Sequence, residues 1–157
     1  MIFVTLGTHE APFDRALDLV AELAGRDELL VQHGATQARP SLPHIEWLDY
    51  LAWEPLTARM RAAEVVITHA GVGSAVTAIR SGKKPVLVPR LARFGEHVDD
   101  HQLQLAERLA EFDLAVACGP GDRLDGAVAE ARESVARPLT EHTSRLAQAV
   151  AQAALVG

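Results

Sequence analysis

Short runs of aliphatic and β-branched residues alternate along the chain with longer segments in which apolar positions recur every three to four residues. The short runs predict strands that are buried on both faces, as in a parallel sheet. The longer segments predict amphipathic helices. The predicted strands are residues 2–6, 29–31, 45–48, 65–68, 85–89 and 114–117, and the predicted helices are residues 12–24, 54–63, 74–80, 98–112, 122–135 and 138–155.

The regular alternation of strands and helices predicts an α/β fold with a doubly wound, parallel, Rossmann-like sheet and right-handed crossovers. We expect residues 1–157 to form a single domain, because this length is near the ~100–150 residues at which domain sizes peak. Ligands of such folds bind at the carboxyl ends of the strands. Residues 7–9, 69–74 and 90–102 follow three predicted strands, and these loops are the candidate site.

The last predicted helix, within residues 138–157, carries a stripe of apolar residues at helical spacing. Its members are Leu139, Leu146, Val150, Ala153 and Leu155. Two arrangements would remove this stripe from water: packing on the chain's own sheet, or docking of the helix against a partner protein.

Composition and charge narrow the classes of protein that fit. Apolar residues make up 48% of the chain and aromatic residues only 4%, which predicts an aliphatic core. Fifteen Lys and Arg residues against 21 Asp and Glu residues give a net charge of −6, which argues against nucleic acid as a partner. The single cysteine, Cys118, excludes an internal disulfide, and the N-terminus lacks the pattern of a signal peptide. We therefore expect a cytoplasmic protein.

The glycine-rich segment Thr68–Ser74 lies between a predicted buried strand and a predicted helix. Glycines let the backbone approach a ligand closely, and the start of a helix attracts anions. One interpretation is a diphosphate site, and the other is a tight strand-to-helix turn in which Ser74 caps the helix. The segment lacks the Gly-Lys-Ser/Thr ending of a Walker A loop, and Val76 stands where a dinucleotide fingerprint needs a third glycine.

Polar residues follow two other predicted strands. Gly7 and Thr8 form a small polar turn that could contribute to the same anion site, although Thr8 is equally suited to capping a helix. Arg90 follows the strand 85–89 at the predicted ligand edge, where it could neutralise a phosphate. His97 and His101 have the spacing of metal ligands on one helix face, but no third ligand accompanies them, so we expect no metal site.

Taken together, these segments resemble the C-terminal, donor-binding domain of MurG-type glycosyltransferases of family 28. The segments are Gly7–Glu10, Ile67–Ser74, Pro85–Arg90 and Gly95–Gln102, in this order. The resemblance covers about residues 1–115 and is most evident with PssE-type small subunits of split polysaccharide glycosyltransferases. It extends to the small soluble subunit of the eukaryotic transferase that adds the second GlcNAc to a dolichol-linked precursor.

The resemblance implies one half of a two-domain GT-B transferase. UDP-sugar would be the substrate, with no metal or other cofactor, and the sugar would pass to a polyprenol-diphosphate-linked saccharide in exopolysaccharide or glycan biosynthesis. A membrane-associated, PssD-like or MurG N-terminal-like subunit would bind the acceptor and supply the base, so that no catalytic residue is expected in this chain. Its location would be the inner face of the membrane, through that partner. The alternative is a non-catalytic accessory subunit that binds nucleotide or stabilises the transferase.

The resemblance also implies roles for individual residues. The implied diphosphate-binding residues are Gly7, Thr8, Gly71, Val72, Gly73, Ser74 and Arg90, the implied sugar-binding residues are His97, His101 and Gln102, and the implied uridine-binding residues are Tyr50, Leu51 and Thr77. Thr77 departs from the family pattern, since many members have at this position a glutamate that binds the ribose hydroxyls.

Overall fold

The computed structural model describes residues 1–134 and 139–155, and it describes the side chains of the last segment from residue 144 onwards. Leu139, the first member of the predicted apolar stripe, therefore lies outside the described side chains. No helix in the described segments is both long enough and apolar enough to cross a membrane.

Strands and helices alternate along the chain, as the hydrophobic pattern predicts. The strands are β1 (Ile2–Thr5), β2 (Leu29–Gln32), β3 (Ile45–Leu48), β4 (Val65–His69), β5 (Val86–Val88) and β6 (Val116–Ala117). The helices are α1 (Asp14–Ala21), α2 (Trp53–Ala62), α3 (Val72–Arg80), α4 (His101–Glu111), α5 (Leu124–Glu133) and α6 (Leu139–Leu155), with a single 3₁₀ turn at Ala92–Phe94.

The strands form one parallel sheet in the order β3-β2-β1-β4-β5-β6. The central strand β1 pairs with β2 on one side and with β4 on the other, so that Val4 lies opposite both Val31 and Ile67. The chain order reverses between β1 and β4, which makes the carboxyl ends of these two strands the topological switch point of the sheet. The predicted doubly wound α/β fold is confirmed.

Helices cover both faces of the sheet. Helices α1 and α5 pack against one face of the sheet, where Val4 and Val86 are fully buried. Helices α2, α3 and α4 pack against the other face, beneath which Phe3 and Leu87 are fully buried. This packing gives the three-layer architecture of a doubly wound fold.

Helix α6 lies outside this arrangement and packs on α4 and α3. Leu146 and Ala149 are buried in the same apolar cluster as Leu105 and Leu109 of α4. Of the two arrangements open for the apolar stripe, the described part of α6 therefore packs on its own chain, but on helices rather than directly on the sheet.

All the helix starts differ from the predictions by one to three residues, and the differences at α3 and α4, which lie next to the candidate site, have local causes. Helix α3 begins at Val72, because Gly71 has the extended conformation of an N-cap (φ −72°, ψ 138°), and Ser74 consequently lies inside the first turn and does not cap the helix. Helix α4 begins only at His101, whose N–H donates to Asp99 Oδ1 at 3.0 Å. Val98 precedes α4 and is 88% exposed, so the predicted start of this helix at residue 98 is wrong.

Candidate functional site

The loops after β1 and β4 meet at the switch point of the sheet, with the imidazole of His69 between them. A Cβ atom on Gly7 would overlap His69 Cε1, and a Cβ atom on Gly71 would lie 2.5 Å from His69 Nε2. Gly7 also has a left-handed backbone (φ +75°), which favours glycine. A larger residue at either position would therefore force the His69 ring or the loop itself to shift.

The environment of His69 keeps its imidazole uncharged at neutral pH. Burial, together with the nearby Arg90 cation, lowers the pKa of His69 from 6.5 to about 4, and the neighbouring His9 and His97 act in the same direction. A neutral imidazole retains one N–H donor and one acceptor nitrogen. His69 belongs to the loop 69–74 that the sequence analysis predicted for the site, but it was given no role of its own, because its position at a strand end gave no indication of the two loops around it.

Two cavities open on either side of Gly71. The first has a volume of about 280 Å³ and is lined by Thr5, Gly7, Thr8, Gln32, Leu51, Leu56, His69, Gly71, Gly73 and Ser74. The second has a volume of about 510 Å³ and is lined by Ala70, Gly71, Val72, His97, His101, Gln102, Leu105, Val150, Ala153 and Ala154. The structure thus places most of the predicted site residues around two adjoining cavities of the size that small ligands occupy.

Gln32, a buried side chain that the sequence analysis missed, lines the first cavity and connects two of its loops. Its Oε1 accepts a hydrogen bond from Thr5 Oγ1 at 2.5 Å, while its Nε2 donates to Gly7 O at 3.2 Å and to Asp49 O at 2.8 Å. Gln32 thereby ties the loop after β1 to the loop after β3. The only signal in the sequence was a polar residue at the end of an apolar run.

The start of α3 presents backbone donors where the cavities meet. The first bond of the helix runs from Ala75 N to Gly71 O at 3.0 Å, and the amides of Val72, Gly73 and Ser74 precede it. No acidic residue lies in the first turn, and no side chain caps this end. The positive end of the helix dipole is therefore left uncompensated beside both cavities, which suits an anionic ligand.

Gln102 and two histidines line the second cavity. Gln102 Oε1 accepts the backbone N–H of Arg90 at 3.0 Å, which leaves the amide nitrogen available to an acceptor in the cavity. His101 Nδ1 lies 3.0 Å from Asp99, and His97 Nδ1 lies 3.2 Å from the same carboxylate without the alignment of a hydrogen bond. The backbone N–H of His101, more than any other group, lowers the pKa of Asp99.

The histidines and Asp99 do not assemble into a metal site. Across residues 1–134 and the described part of α6, no three His, Cys, Asp or Glu side chains are arranged so that they could hold a metal ion. His97 and His101 both direct Nδ1 towards Asp99 rather than towards a common point in the cavity.

The structure corrects the expectation for Arg90. Its side chain is only 1% exposed, and its guanidinium donates to backbone carbonyls, among them Ala11 O at 2.8 Å and Leu6 O at 3.3 Å. Arg90 therefore lies behind the loop that carries Gly7 and cannot bind a diphosphate directly. The sequence placed this residue at the correct edge of the sheet but gave no indication of its burial.

The three residues predicted to bind uridine are not brought together. Leu51 lines the first cavity, whereas Tyr50 does not line it, is 57% exposed and lies beside Gly34. Thr77 is buried in α3, where its Oγ1 donates to Gly73 O at 2.6 Å. The hydroxyl of Thr77 is thus already used inside its own helix.

Comparisons with known proteins show the family of the chain. The model of the glycosyltransferase family 28 C-terminal domain matches residues 1–155. The UDP-N-acetylglucosamine transferase subunit ALG13 of Yarrowia lipolytica is 31% identical over 127 residues, which cover 69% of this chain and 60% of that protein.

Solved glycosyltransferases share the fold. The glycotransferase of kitacinnamycin superposes with a TM-score of 0.71 at 23% identity, over 99% of this chain and 42% of its own. SnogD from Streptomyces nogalater gives a TM-score of 0.66 at 17% identity, over 99% and 44% respectively. The chain thus spans 60% of the length of the first relative and less than half of the length of these structures. The predicted resemblance is confirmed: the chain belongs to the family of the glycosyltransferase family 28 C-terminal domain.

Proposed function

We propose that this chain is the UDP-sugar-binding subunit of a two-component glycosyltransferase. The donor would be a UDP-linked hexose, N-acetylhexosamine or hexuronate, and the acceptor a polyprenol-diphosphate-linked saccharide in exopolysaccharide or glycan biosynthesis. The observation that carries this proposal is the junction at Gly71, where unpaired helix amides lie between the two cavities. A nucleotide sugar needs the same arrangement: a diphosphate in the middle, with a nucleoside on one side and a sugar on the other.

The chemistry of the two cavities supports this orientation of the donor. The cavity at Gly7, Thr8 and Ser74 would hold the nucleoside side of the diphosphate, with Leu51 offering an apolar contact. The larger cavity would hold the sugar, whose hydroxyls would meet His97, His101 and the free amide nitrogen of Gln102. Amide and imidazole groups can both form hydrogen bonds with sugar hydroxyls.

Transfer would break the bond between the anomeric carbon and the terminal phosphate oxygen, and the electron pair would pass to UDP. The amides of Val72, Gly73 and Ser74 would receive that negative charge, since fixed backbone dipoles stabilise charge without having to reorganise. An acceptor hydroxyl would attack the anomeric carbon after losing its proton to a base of the partner subunit. We propose that this chain contributes no base and uses no metal.

One observation supports a partner: the Yarrowia lipolytica relative is itself named a transferase subunit. A membrane-associated, PssD-like subunit would close the cleft over the donor and present the lipid-linked acceptor. This partner would place the chain at the inner face of the membrane.

Titration calorimetry with UDP, alone and with a candidate partner subunit, tests the donor site. Ser74→Ala, at the start of α3, should weaken UDP binding by about three- to tenfold, equivalent to one hydrogen bond. Ser81→Ala, at the other end of the same helix, is the matched control and should bind UDP like the wild type. The absence of UDP binding both with and without the partner would disprove the proposal.

Activity measurements test the division between two subunits. The chain alone, supplied with a UDP-sugar and a polyprenyl-diphosphate saccharide, should transfer little sugar, and addition of the partner should restore transfer. Full activity of the single chain would contradict a two-component enzyme.

A non-catalytic accessory subunit is the second candidate function, and Thr77 is the observation that favours it. A threonine bonded within its own helix cannot replace a carboxylate that binds ribose hydroxyls. Ser74→Ala and Gln102→Ala in the reconstituted pair distinguish the two functions. Reduced transfer rates would support donor binding by this chain, and unchanged rates would support the accessory function.

A further inference from the structure

Arg90 is the largest fully buried side chain of the described protein, and it lies directly behind the proposed diphosphate site. Its Nη1 donates to Ala11 O at 2.8 Å, to Glu96 O at 3.3 Å and, at 3.5 Å, to Pro12 O. Its Nη2 donates to Leu6 O at 3.3 Å. One planar group thus joins the loop after β1 to the loop after β5.

A second arginine, Arg15 of α1, joins that helix to the loop after β5. Glu96, which is 5% exposed, accepts Arg15 Nε and Nη2 at 2.9 Å each and the backbone N–H of Leu91 at 3.0 Å. Arg15 Nη2 also donates to Pro89 O at 2.6 Å. Arg90 and Arg15 are cations and Glu96 is a carboxylate, so the three side chains together carry a net positive charge.

Arg90 contacts residues that are neighbours of those lining the first cavity. Leu6, whose carbonyl it binds, immediately precedes Gly7, and Gly7 packs against the imidazole of His69. The ring of Phe13, at the start of α1, lies 4.5 Å from the centre of the guanidinium and fixes its plane. Movement of this side chain would therefore displace one wall of the cavity.

We infer that Arg90 is a positioning residue, whose guanidinium binds the carbonyls of the two loops and so holds Gly7 and His69 in the geometry that receives the donor diphosphate. This inference rests on the proposed function for the identity of the ligand, while the geometric role of Arg90 does not depend on it. Lysine cannot replace arginine here, because a single ammonium on a flexible stem cannot span carbonyls of both loops.

The charge of Arg90 has a separate effect on the same site. Arg90, His9 and His97 each lower the pKa of His69, because each opposes protonation of the His69 ring. The buried charge also lies against the loop that carries Gly7, through its bond to Leu6 O, where it would attract a diphosphate without touching it. Geometry and charge can therefore be separated by substitutions that remove one or both.

Two variants make this separation. Arg90→Lys keeps the charge and loses the planar donor group, and Arg90→Met loses both. The probes are UDP binding by calorimetry and the titration of His69 by NMR, with thermal unfolding as the test of folding. The matched control is Arg80→Lys, at the far end of α3, outside both cavities.

We expect both Arg90 variants to bind UDP at least about tenfold more weakly, the equivalent of one hydrogen bond from a charged donor. The pKa of His69 should rise towards its usual value in Arg90→Met and change less in Arg90→Lys. Arg80→Lys should match the wild type in both measurements. A folded Arg90→Lys protein that binds UDP within about twofold of the wild type would overturn the inference.

The remaining outcomes are also decisive. If neither Arg90 variant folds, Phe13→Leu removes the ring beside the guanidinium without removing a hydrogen bond, and unchanged UDP affinity in that variant would overturn the inference. If the wild type binds no UDP, the proposed function fails. The NMR titration then still tests the geometric role, because unchanged His69 and Gly7 resonances in a folded Arg90→Lys protein would exclude it.

Discussion

Gly71 lies where the two cavities meet, and its Cα is next to the imidazole of His69. In Gly71→Ala the added methyl group would lie 2.5 Å from His69 Nε2, so either the ring or the start of α3 must shift. We expect UDP affinity to fall by at least about tenfold. Calorimetry checks this expectation.

Gly126→Ala is the control for this substitution, because nothing lies within 4 Å of an added Cβ at this helical position. It should stabilise α5 by about 0.5–1 kcal/mol and leave UDP binding unchanged. Equal UDP affinities for the two alanine variants would show that His69 does not constrain Gly71.

His69 also makes the stability of the fold depend on pH. Its pKa is about 4 in the folded protein and 6.5 in an unperturbed histidine. Between these values the unfolded chain binds a proton that the folded chain does not, so the free energy of unfolding should decrease as the pH falls from 6.5 to 4. The contribution of this residue is at most about 1.4 kcal/mol per pH unit.

Urea unfolding at several pH values measures this dependence. His69→Gln should reduce the slope between pH 6.5 and 4, because the variant has no ring to protonate. An identical slope in the variant would show that His69 is not held neutral by the fold.

At the scale of elements, helix α6 has apolar residues both at its buried contact with α4 and on its exposed surface. Leu146 is 7% exposed between α6 and α4, whereas Leu155, on the same helix, is 84% exposed. Leu146→Ala should therefore reduce the free energy of unfolding by about 2–3 kcal/mol, and Leu155→Ala should change it by less than about 0.5 kcal/mol. Urea denaturation measures both. Equal effects would mean that α6 does not pack on α4 in solution.

The same helix forms one wall of the larger cavity through Val150, Ala153 and Ala154. Ala153→Leu should fill part of this space and weaken the binding of UDP-sugars while sparing UDP, since the cavity at Gly7 is untouched. Ala151→Leu, an exposed position of α6, is the matched control. Calorimetry with UDP and with UDP-GlcNAc, UDP-glucose and UDP-glucuronate separates the two effects. Equal losses of affinity for UDP and for all three UDP-sugars would contradict the placement of the sugar in the larger cavity.

At the scale of the whole molecule, an acidic chain is proposed to bind an anion. The net charge of −6 is a sum over the whole chain, whereas the cleft contains the uncapped start of α3 and lies next to the loop whose Leu6 O binds the buried Arg90. Local charges dominate because interactions between exposed charges are screened beyond about 10 Å at ordinary ionic strength. Net charge argued against a nucleic-acid partner but carried no information about this cleft.

The fold could be predicted from the sequence because hydrophobic periodicity depends on neighbours along the chain. The runs at β1 and β4 are apolar at successive positions, as expected for strands that are covered on both faces. Because all strands of a parallel sheet end at the same edge, the Gly7 and Gly71 loops were identifiable as segments of the candidate site. The starts of α3 and α4 were predicted less well, since they depend on the backbone at Gly71 and on the carboxylate of Asp99.

The sequence by itself therefore determined the doubly wound sheet, the edge that carries the candidate site and the glycine-rich loops that form the cleft, because each follows from local pattern and connectivity. Only the tertiary structure decided that Arg90 is buried behind the cleft, that His69 lies between two glycines and that α6 lines the larger cavity. These features join residues that are far apart in the chain, and the spacing of residues along a sequence does not record which distant side chains meet.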